Sequence, residues 1–249
     1  PSRGIPWVVG RTYNQRQMDS GGAELTSDGY QGKNWFQSSQ PEIRLFDSDG
    51  NPATREAADA VYLVYGADRY VEFVRTAANA DTFKGRNGAA GVVRYESGSP
   101  DTYTYTDQRG NRAVFFGGNT SGGRADFQLW KMTDPAGNVT YVGHATDAAT
   151  AASDGYNADG TVKVAFDANS SDGRRFTYTY TTIGGVSRLT QVKAETKSGG
   201  TWASPTGLTE VARVDYTYHD GADNHGPAGH LRSAVVRTAL SDSGADLSS

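Results

Sequence analysis

The chain lacks cysteine, long apolar runs and basic clusters. The absence of Cys excludes a disulfide scaffold and thiolate chemistry. No apolar run approaches the roughly 18 residues that a membrane-spanning helix needs, so we expect no transmembrane segment. The formal net charge is −4, and Lys and Arg form no block that could neutralise phosphates, so we expect no nucleic-acid partner.

Motifs of catalysis are also missing. The chain has no Gly-x-Ser-x-Gly elbow and no phosphate-cradling Gly-Lys-Ser/Thr sequence. A pair of carboxylates across a cleft, as glycosidases use, is the enzymatic arrangement that remains. Its candidates in predicted strands also fit the wet face of amphipathic strands, and they are Glu42, Glu72, Glu195 and Glu210. We therefore predict that the chain is not an enzyme.

Glycine and tyrosine are abundant instead. Gly accounts for 31 residues, about 12% of the chain against an average of about 7%. Tyrosine and threonine suit a sheet with one wet face, because the ring packs while the hydroxyl stays in water. Short alternating runs are separated by turns, and the turn-forming pair Asp-Gly occurs six times. We predict an all-β fold with very little helix, limited to one or two turns over 53–60. The alternating runs predict a hairpin of 61–65 with 70–74 and pairing of 92–95 with 102–106.

One pattern recurs along the chain: an alternating Tyr/Thr or apolar run next to a turn of acidic residues, Gly or Asn. The clearest copies lie at 103–111, 129–141, 176–180 and 214–221. A unit this short cannot bury a core alone, so it must stack on its neighbours in an extended or wrapped sheet. We predict structural roles for its tyrosines and corner glycines, which are Tyr103, Tyr105, Gly137, Tyr141, Gly173, Tyr178, Tyr180, Tyr216, Tyr218 and Gly221.

These units resemble those of the Rhs family, also called YD-repeat proteins. The resemblance is carried by 134–141, by 174–180 with 188–192, and by 213–218 with 229–235. The opening of the chain, at 11–14, Trp35 and 41–45, is similar to the segment that precedes the repeats in that family. The resemblance implies a spiralling antiparallel β-sheet ribbon, here a fragment of a hollow β shell of the kind teneurin-type proteins share.

The same resemblance implies a biological setting. It implies a bacterial protein, secreted or at the cell surface, whose shell encloses a toxic or otherwise active polypeptide. A full shell needs several times this length, so we expect a piece of a longer chain with neither cargo nor self-cleaving protease. Its partners would be the remainder of the parent chain or the enclosed polypeptide, with self-association through exposed strand edges.

The expected organisation has four parts. Residues 1–143 form the pre-repeat segment and first units, and 144–160, rich in Ala, Asp and Gly, form an insertion or joint. Further units occupy 161–240, and 241–249 form a disordered tail.

Two local features leave metal binding open. Asp47, Asp49 and Asn51 have the alternate oxygens of a calcium loop, although such residues also form turns simply by bonding their own backbone. His219, His225 and His230 lie near one another in sequence, either as ligands of a divalent ion or in a polar hairpin loop. No other cofactor is predicted.

Trp202 supports an alternative function. It lies in a Gly-rich loop, where an exposed ring could stack on a sugar, although large aromatics more often fill a core. The chain would then be an extracellular recognition or self-assembling surface module that binds glycan or protein and forms filaments.

Overall fold

Two compact units make up the chain. The computed structural model describes residues 10–13, 28–29, 32–33, 35–37, 41–66, 69–120, 125–143, 148–167, 173–222 and 228–238. Unit 1 comprises Pro1–Val8 and Ser39–Ser170, and unit 2 comprises Val9–Ser38 and Ser171–Ser249. The division falls later in the chain than the predicted joint at 144–160, and the predicted tail at 241–249 lies outside the described residues.

Antiparallel strands dominate both units, so the predicted all-β class with very little helix is confirmed. Four short strands come first and belong to unit 2: β1 (Arg11–Tyr13), β2 (Asp28–Gly29), β3 (Gly32–Lys33) and β4 (Trp35–Gln37). β1 pairs with β4 and β2 with β3. None of the helices among the described residues has the length and apolar character needed to cross a membrane.

Unit 1 is a meander in which each strand pairs with the next along the chain. Its strands are β5 (Glu42–Phe46), β6 (Ala60–Gly66), β7 (Arg69–Arg75), β8 (Thr82–Gly85), β9 (Val92–Glu96), β10 (Thr102–Thr106), β11 (Arg112–Phe116), β12 (Leu129–Thr133), β13 (Val139–Val142) and β14 (Val164–Asp167). A 3-10 turn covers Arg86–Gly88, between β8 and β9. The predicted hairpin of 61–65 with 70–74 and the predicted pairing of 92–95 with 102–106 are both confirmed.

One face of this meander forms the core of unit 1. Side chains alternate between the two faces of a strand, so a run such as Glu42–Phe46 buries every second residue. The alternation places one apolar row after another on the inner face. The buried residues of this face include Ile43, Leu45, Val61, Leu63, Phe73, Phe83, Val93, Tyr103, Phe115 and Leu129.

The sheet of unit 1 curls back on itself. The rings of Phe73 in β7 and Tyr105 in β10 have centroids 5.5 Å apart, whereas three strand spacings span about 14 Å in a flat sheet. The amide of Ile43 in β5 donates to the carbonyl of Phe127, just before β12, at 3.0 Å. Seven strand spacings would separate these positions by about 33 Å in a flat sheet. The inner face is therefore enclosed by the curvature of its own ribbon.

Helix forms at a different place from the one predicted. Residues 53–60 make a turn at 55–57 and then enter β6, so the prediction of helix there is wrong. The guanidinium of Arg75 holds this segment through hydrogen bonds to the carbonyls of Ala58, at 2.6 Å, and Arg55. The helix of unit 1 is instead α1 (Ala148–Gly155), which buries Ala151 and Ala152.

Close approach anchors α1 to the sheet. A Cβ on Gly155 would lie 2.5 Å from Cγ1 of Val142, so only glycine fits there. Tyr156, directly after the helix, donates its hydroxyl to the carbonyl of Leu129 at 2.6 Å and meets the ring of Phe116 edge-on. Helix and sheet thus share a second, smaller core.

Unit 2 contains a second meander built from longer strands. They are β15 (Arg174–Ile183), β16 (Val186–Gly200), β17 (Pro205–Tyr218) and β18 (Leu231–Thr238). One cross-strand row runs from Tyr178 through Val192 and Val214 to Val236. Tyr178 is 5% exposed and Val236 is 54% exposed, so burial along the row is lost at the last strand.

The two faces of β7 should differ sharply in their contribution to stability. Phe73→Ala empties a fully buried site and is expected to lower the free energy of unfolding by about 3–5 kcal/mol. Val74→Ala, the next residue, removes a side chain that is 36% exposed on the opposite face and should cost less than about 1 kcal/mol. Urea unfolding of both variants measures the difference, and equal losses would contradict the assignment of the inner face.

Candidate functional site

The strands of unit 1 are joined at several places by one type of corner. The sequence Asp-x-x-Gly-Asn occurs at 47–51, 107–111 and 134–138, each between paired neighbouring elements. In all three corners the Asp amide donates to the Asn carbonyl at 3.0 Å. The Gly amide donates back to the Asp carbonyl at 3.1, 3.2 and 3.0 Å. The glycines have φ of +82°, +84° and +85°, a conformation that favours Gly over any other residue.

Side chains close each corner a second time. In the third corner, Oδ1 of Asp134 accepts a hydrogen bond from the amide of Asn138 at 2.8 Å. Its Oδ2 accepts one from Nδ2 of the same asparagine at 2.7 Å. The same two contacts occur between Asp107 and Asn111, at 2.9 and 2.8 Å. The Asp–Asn pair therefore cross-links the two ends of the turn.

A fourth corner, at 157–161, keeps the backbone frame with different side chains. The amide of Asn157 donates to the carbonyl of Thr161 at 2.8 Å, and that of Gly160 donates to the carbonyl of Asn157 at 3.1 Å. Nδ2 of Asn157 donates to the hydroxyl of Thr161 at 2.9 Å. Oδ1 of Asp159 accepts hydrogen bonds from the amide and the hydroxyl of Thr161, at 3.1 and 2.6 Å, so a carboxylate at the third position closes this corner.

The corner hydrogen bonds alter the acidity of their carboxylates. The hydrogen bond from the backbone of Asn51 is the largest cause that lowers the pKa of Asp47. The side-chain amide of Asn138 is the largest cause that lowers the pKa of Asp134. Hydrogen bonds to the charged form favour ionisation, so the carboxylates add stability to the backbone bonds of these corners while they are ionised.

The predicted calcium ligands lie in the first of these corners. Oδ1 of Asp47 accepts hydrogen bonds from the amides of Asp49 and Asn51, both at 2.9 Å, and Nδ2 of Asn51 donates to Oδ2 at 3.3 Å. The turn thus accounts for the carboxylate of Asp47 without an ion. Within the described residues, no three or more His, Asp or Glu side chains gather as a metal site would require.

The predicted histidine cluster is placed only in part. His225 lies outside the described residues. The amide of His219 donates to the carbonyl of His230 at 2.9 Å, so these two residues close the base of the connection between β17 and β18.

The repeat tyrosines occupy different depths. Tyr103, Tyr178, Tyr216 and Tyr218 are buried, whereas Tyr105, Tyr141 and Tyr180 are half-buried. Tyr218 donates its hydroxyl to the carbonyl of Leu189 at 2.7 Å, across from β17 to β16. Tyr141 packs against Phe166 of β14 with ring centroids 5.5 Å apart. These rings join neighbouring strands rather than meeting at one point.

The predicted corner glycines are placed as follows. Gly137 and Gly221 have φ of +85° and +84°. Gly173 is buried and directly precedes β15.

The four strand glutamates are each paired with an arginine. Carboxylate oxygens of Glu42 and Glu72 lie 2.6 Å from Arg44 and 2.7 Å from Arg86. Glu195 accepts two hydrogen bonds from Arg175 on one oxygen, at 2.9 and 2.7 Å. Glu210 contacts Arg213 at 3.3 Å. These ion pairs join residues of one strand or of adjacent segments, and Glu195 and Glu210 lie opposite each other in the ladder of β16 and β17.

Trp202 is half-buried rather than fully exposed. The ammonium of Lys197 lies 5.4 Å from the centroid of its ring, a cation–π arrangement. The same ammonium donates to the carbonyl of Gly200 at 2.7 Å. Lys197 thus covers part of the indole face that a sugar would use.

The solvent-facing side of β9, β10 and β11 carries a polar concavity of about 560 Å³. Cross-strand register sets Arg94 beside Thr104, and Thr106 beside Arg112. These side chains alternate with the buried Val93, Tyr103 and Phe115, which is why they share the opposite face. The full lining is Gly91, Val92, Arg94, Glu96, Thr104, Thr106, Asp107, Gln108 and Arg112.

Sequence reasoning missed this concavity. Its charged and hydroxyl residues are spread over about twenty positions, and each looks like the wet face of an ordinary strand. The register of three consecutive strands brings these residues together. The alternation of polar and apolar residues at 92–96, 102–106 and 112–116 is the sequence signal that could have predicted the concavity. Neither a protein-family model nor a curated protein matches this chain.

The first corner gives a test of the Asp–Asn cross-link. Asp47→Ala removes the acceptor of two backbone amides and is expected to lower the melting temperature at pH 7. Asp47→Asn should retain part of that stability, because its amide oxygen can still accept a hydrogen bond from a backbone amide. Because the pKa of Asp47 is lowered in the folded protein, its contribution is present above the ordinary value and is lost as pH falls through the lowered one. The Asn variant should lack this acid-dependent part.

Asp49→Asn is the matched control, since the carboxylate of Asp49 accepts no hydrogen bond from the described residues. Melting curves between pH 7 and pH 2 should be alike for this variant and the wild type. A calcium site would behave differently: added calcium would raise the melting temperature of the wild type, and Asp49→Asn would abolish that rise. That outcome would show that these residues form a calcium site and not only a hydrogen-bonded turn.

The tyrosine row of unit 2 gives a second test. Tyr178→Ala is expected to lower the free energy of unfolding by about 3 kcal/mol or more, because the ring is buried against β16. Thr179→Ala, the next residue on the exposed face, should stay within about 0.5 kcal/mol of the wild type. A thermal and urea melt of Tyr178→Ala without loss would show that the row does not hold the sheet.

Proposed function

We propose that this chain is a non-catalytic wall segment of an Rhs-like, YD-repeat β shell that encloses or scaffolds another polypeptide. The observation that carries the proposal is the Asp-x-x-Gly-Asn corner, which recurs with the same backbone and side-chain hydrogen bonds. Two of these corners return one strand beside the next, from β10 to β11 and from β12 to β13. A chain built in this way extends as a ribbon whose length depends only on how many units follow.

The curvature of unit 1 supports an enclosing role. Contacts between Phe73 and Tyr105, and between Ile43 and Phe127, require the ribbon to bend within eight strands. The bend places the apolar face inside, where packing against neighbouring strands stabilises each strand. A ribbon with this bend can surround a volume once enough units are added.

The last described strand supports a continuing wall. Among the described residues β18 pairs with β17 alone, and its Val236 is 54% exposed. An apolar residue on an open strand edge favours pairing with a further segment. The remainder of the parent chain is the partner that we propose for this edge.

The ion pairs of the strand glutamates support the absence of catalysis. A general acid or base needs access to substrate, whereas Glu195 is buried and its carboxylate is bound twice by Arg175. The secreted or cell-surface bacterial setting, and the toxic nature of an enclosed polypeptide, follow from the resemblance to Rhs proteins.

Protease protection in the full parent chain tests the enclosing role. The enclosed polypeptide should resist digestion in the wild type, because an intact wall excludes the protease. Phe73→Ala and Tyr178→Ala should make it sensitive at temperatures where the wild type still protects, since each loosens one unit of the wall. Digestion time courses followed by mass spectrometry measure the rate.

Val74→Ala and Thr179→Ala are the matched controls and should leave protection unchanged. If the remaining polypeptide of the wild-type parent is digested as fast as the same polypeptide alone, the chain encloses nothing. If protection is retained in both core variants after their stability loss is verified, the wall described here does not provide it.

A further inference from the structure

Two arginines in the polar concavity of β9–β11 are free. Arg94 and Arg112 are exposed, and neither makes a hydrogen bond or an ion pair with any residue that the structure describes. Arg44 and Arg175, by contrast, are paired with glutamates. Two unpaired guanidinium groups in one concavity leave ten N–H donors available to a ligand.

The floor between these arginines offers hydroxyl groups. Thr104 lies beside Arg94 in the ladder, and Thr106 lies beside Arg112, so the hydroxyls stand between the two charges. Both threonines are half-buried. The side-chain amide of Gln108 adds a donor and an acceptor at the rim, and Val92 supplies a small apolar surface.

The charge balance of the site narrows the ligand class. Two cations are accompanied by the carboxylates of Glu96 and Asp107, and the chain as a whole carries −4. A densely charged polyphosphate would be repelled by those carboxylates. A ligand with separated carboxylates and many hydroxyls matches the set, because guanidinium binds planar carboxylate through two parallel hydrogen bonds.

The site is held in shape before any ligand arrives. Its polar side chains stand on three paired strands, and the corner at 107–111 fixes Gln108. A Cβ on Gly91 would lie 2.6 Å from the ring of Tyr105 and 2.7 Å from the carbonyl of Thr106, so glycine at this rim allows the backbone to approach β10. The backbone of the site therefore needs no rearrangement on binding.

We propose that this concavity binds an acidic oligosaccharide, a chain of uronic acid sugars. Arg94 and Arg112 take its carboxylates, while Thr104, Thr106, Gln108 and Glu96 bond its hydroxyls. The inference stands apart from the enclosing role, since a wall segment and a recognition module could equally carry such a site.

Titration of the whole chain with a hexamer of galacturonic acid tests the proposal. Isothermal titration calorimetry should show binding that weakens as salt rises, because the contacts are ionic. Arg94→Gln and Arg112→Gln should each weaken binding by at least about tenfold, since each removes a charged pair of hydrogen bonds. Arg174→Gln makes the same change at an exposed position of β15, in unit 2, and should leave binding unchanged.

Other outcomes overturn the proposal. Absence of binding to the wild type would do so, as would equal loss in the Arg174→Gln control. A neutral hexamer of glucose that binds as well as the uronate would show that the arginines are not the recognition element. Tighter binding of inorganic polyphosphate would assign the site to phosphate ligands. Thermal melts of each variant verify folding, which substitution of these exposed side chains should leave intact.

Discussion

The hydrogen-bonded corner of Asp and Asn is the constraint that returns β10 to β11 and β12 to β13 in the sheet of unit 1. A corner that hydrogen-bonds its own backbone amides reverses the chain tightly, so the next strand runs antiparallel beside the previous one. The Asp carboxylate closes the corner with both oxygens: one accepts the backbone amide of Asn and the other accepts its side-chain amide. Glycine at the fourth position allows the left-handed backbone that the return requires.

Curvature then decides which face becomes the core. The ribbon of unit 1 bends until Phe73 meets Tyr105 and the amide of Ile43 reaches Phe127. The inner face excludes water by this closure, whereas the outer face keeps its threonines and arginines in solvent. The same alternation that buries Tyr103 therefore places Thr104 on the outer face, so the pleat of one strand contributes to both the core and the polar concavity.

Much of this architecture was readable from local sequence, because hairpins depend on neighbours in the chain. Alternation and turn residues predicted the hairpin of 61–65 with 70–74, the pairing of 92–95 with 102–106 and the near absence of helix. The helix at 148–155 was missed, and one was wrongly predicted at 53–60, because long-range contacts decided both. Hydrogen bonds from Arg75 to backbone carbonyls hold the segment 53–60 in place. Gly155 allows the helix at 148–155 to pack closely against Val142.

Hydrogen exchange at the corner amides tests the account most directly. The amides of Asn51, Asn111 and Asn138 donate to aspartate carboxylates, and those of Asp47, Asp107 and Asp134 donate across the turn. Two-dimensional NMR should find all six protected at neutral pH, with protection of the three asparagine amides falling as their carboxylates are protonated in acid. Exchange of these amides at the rate of an unstructured peptide would contradict the claim that repeated corners build this wall.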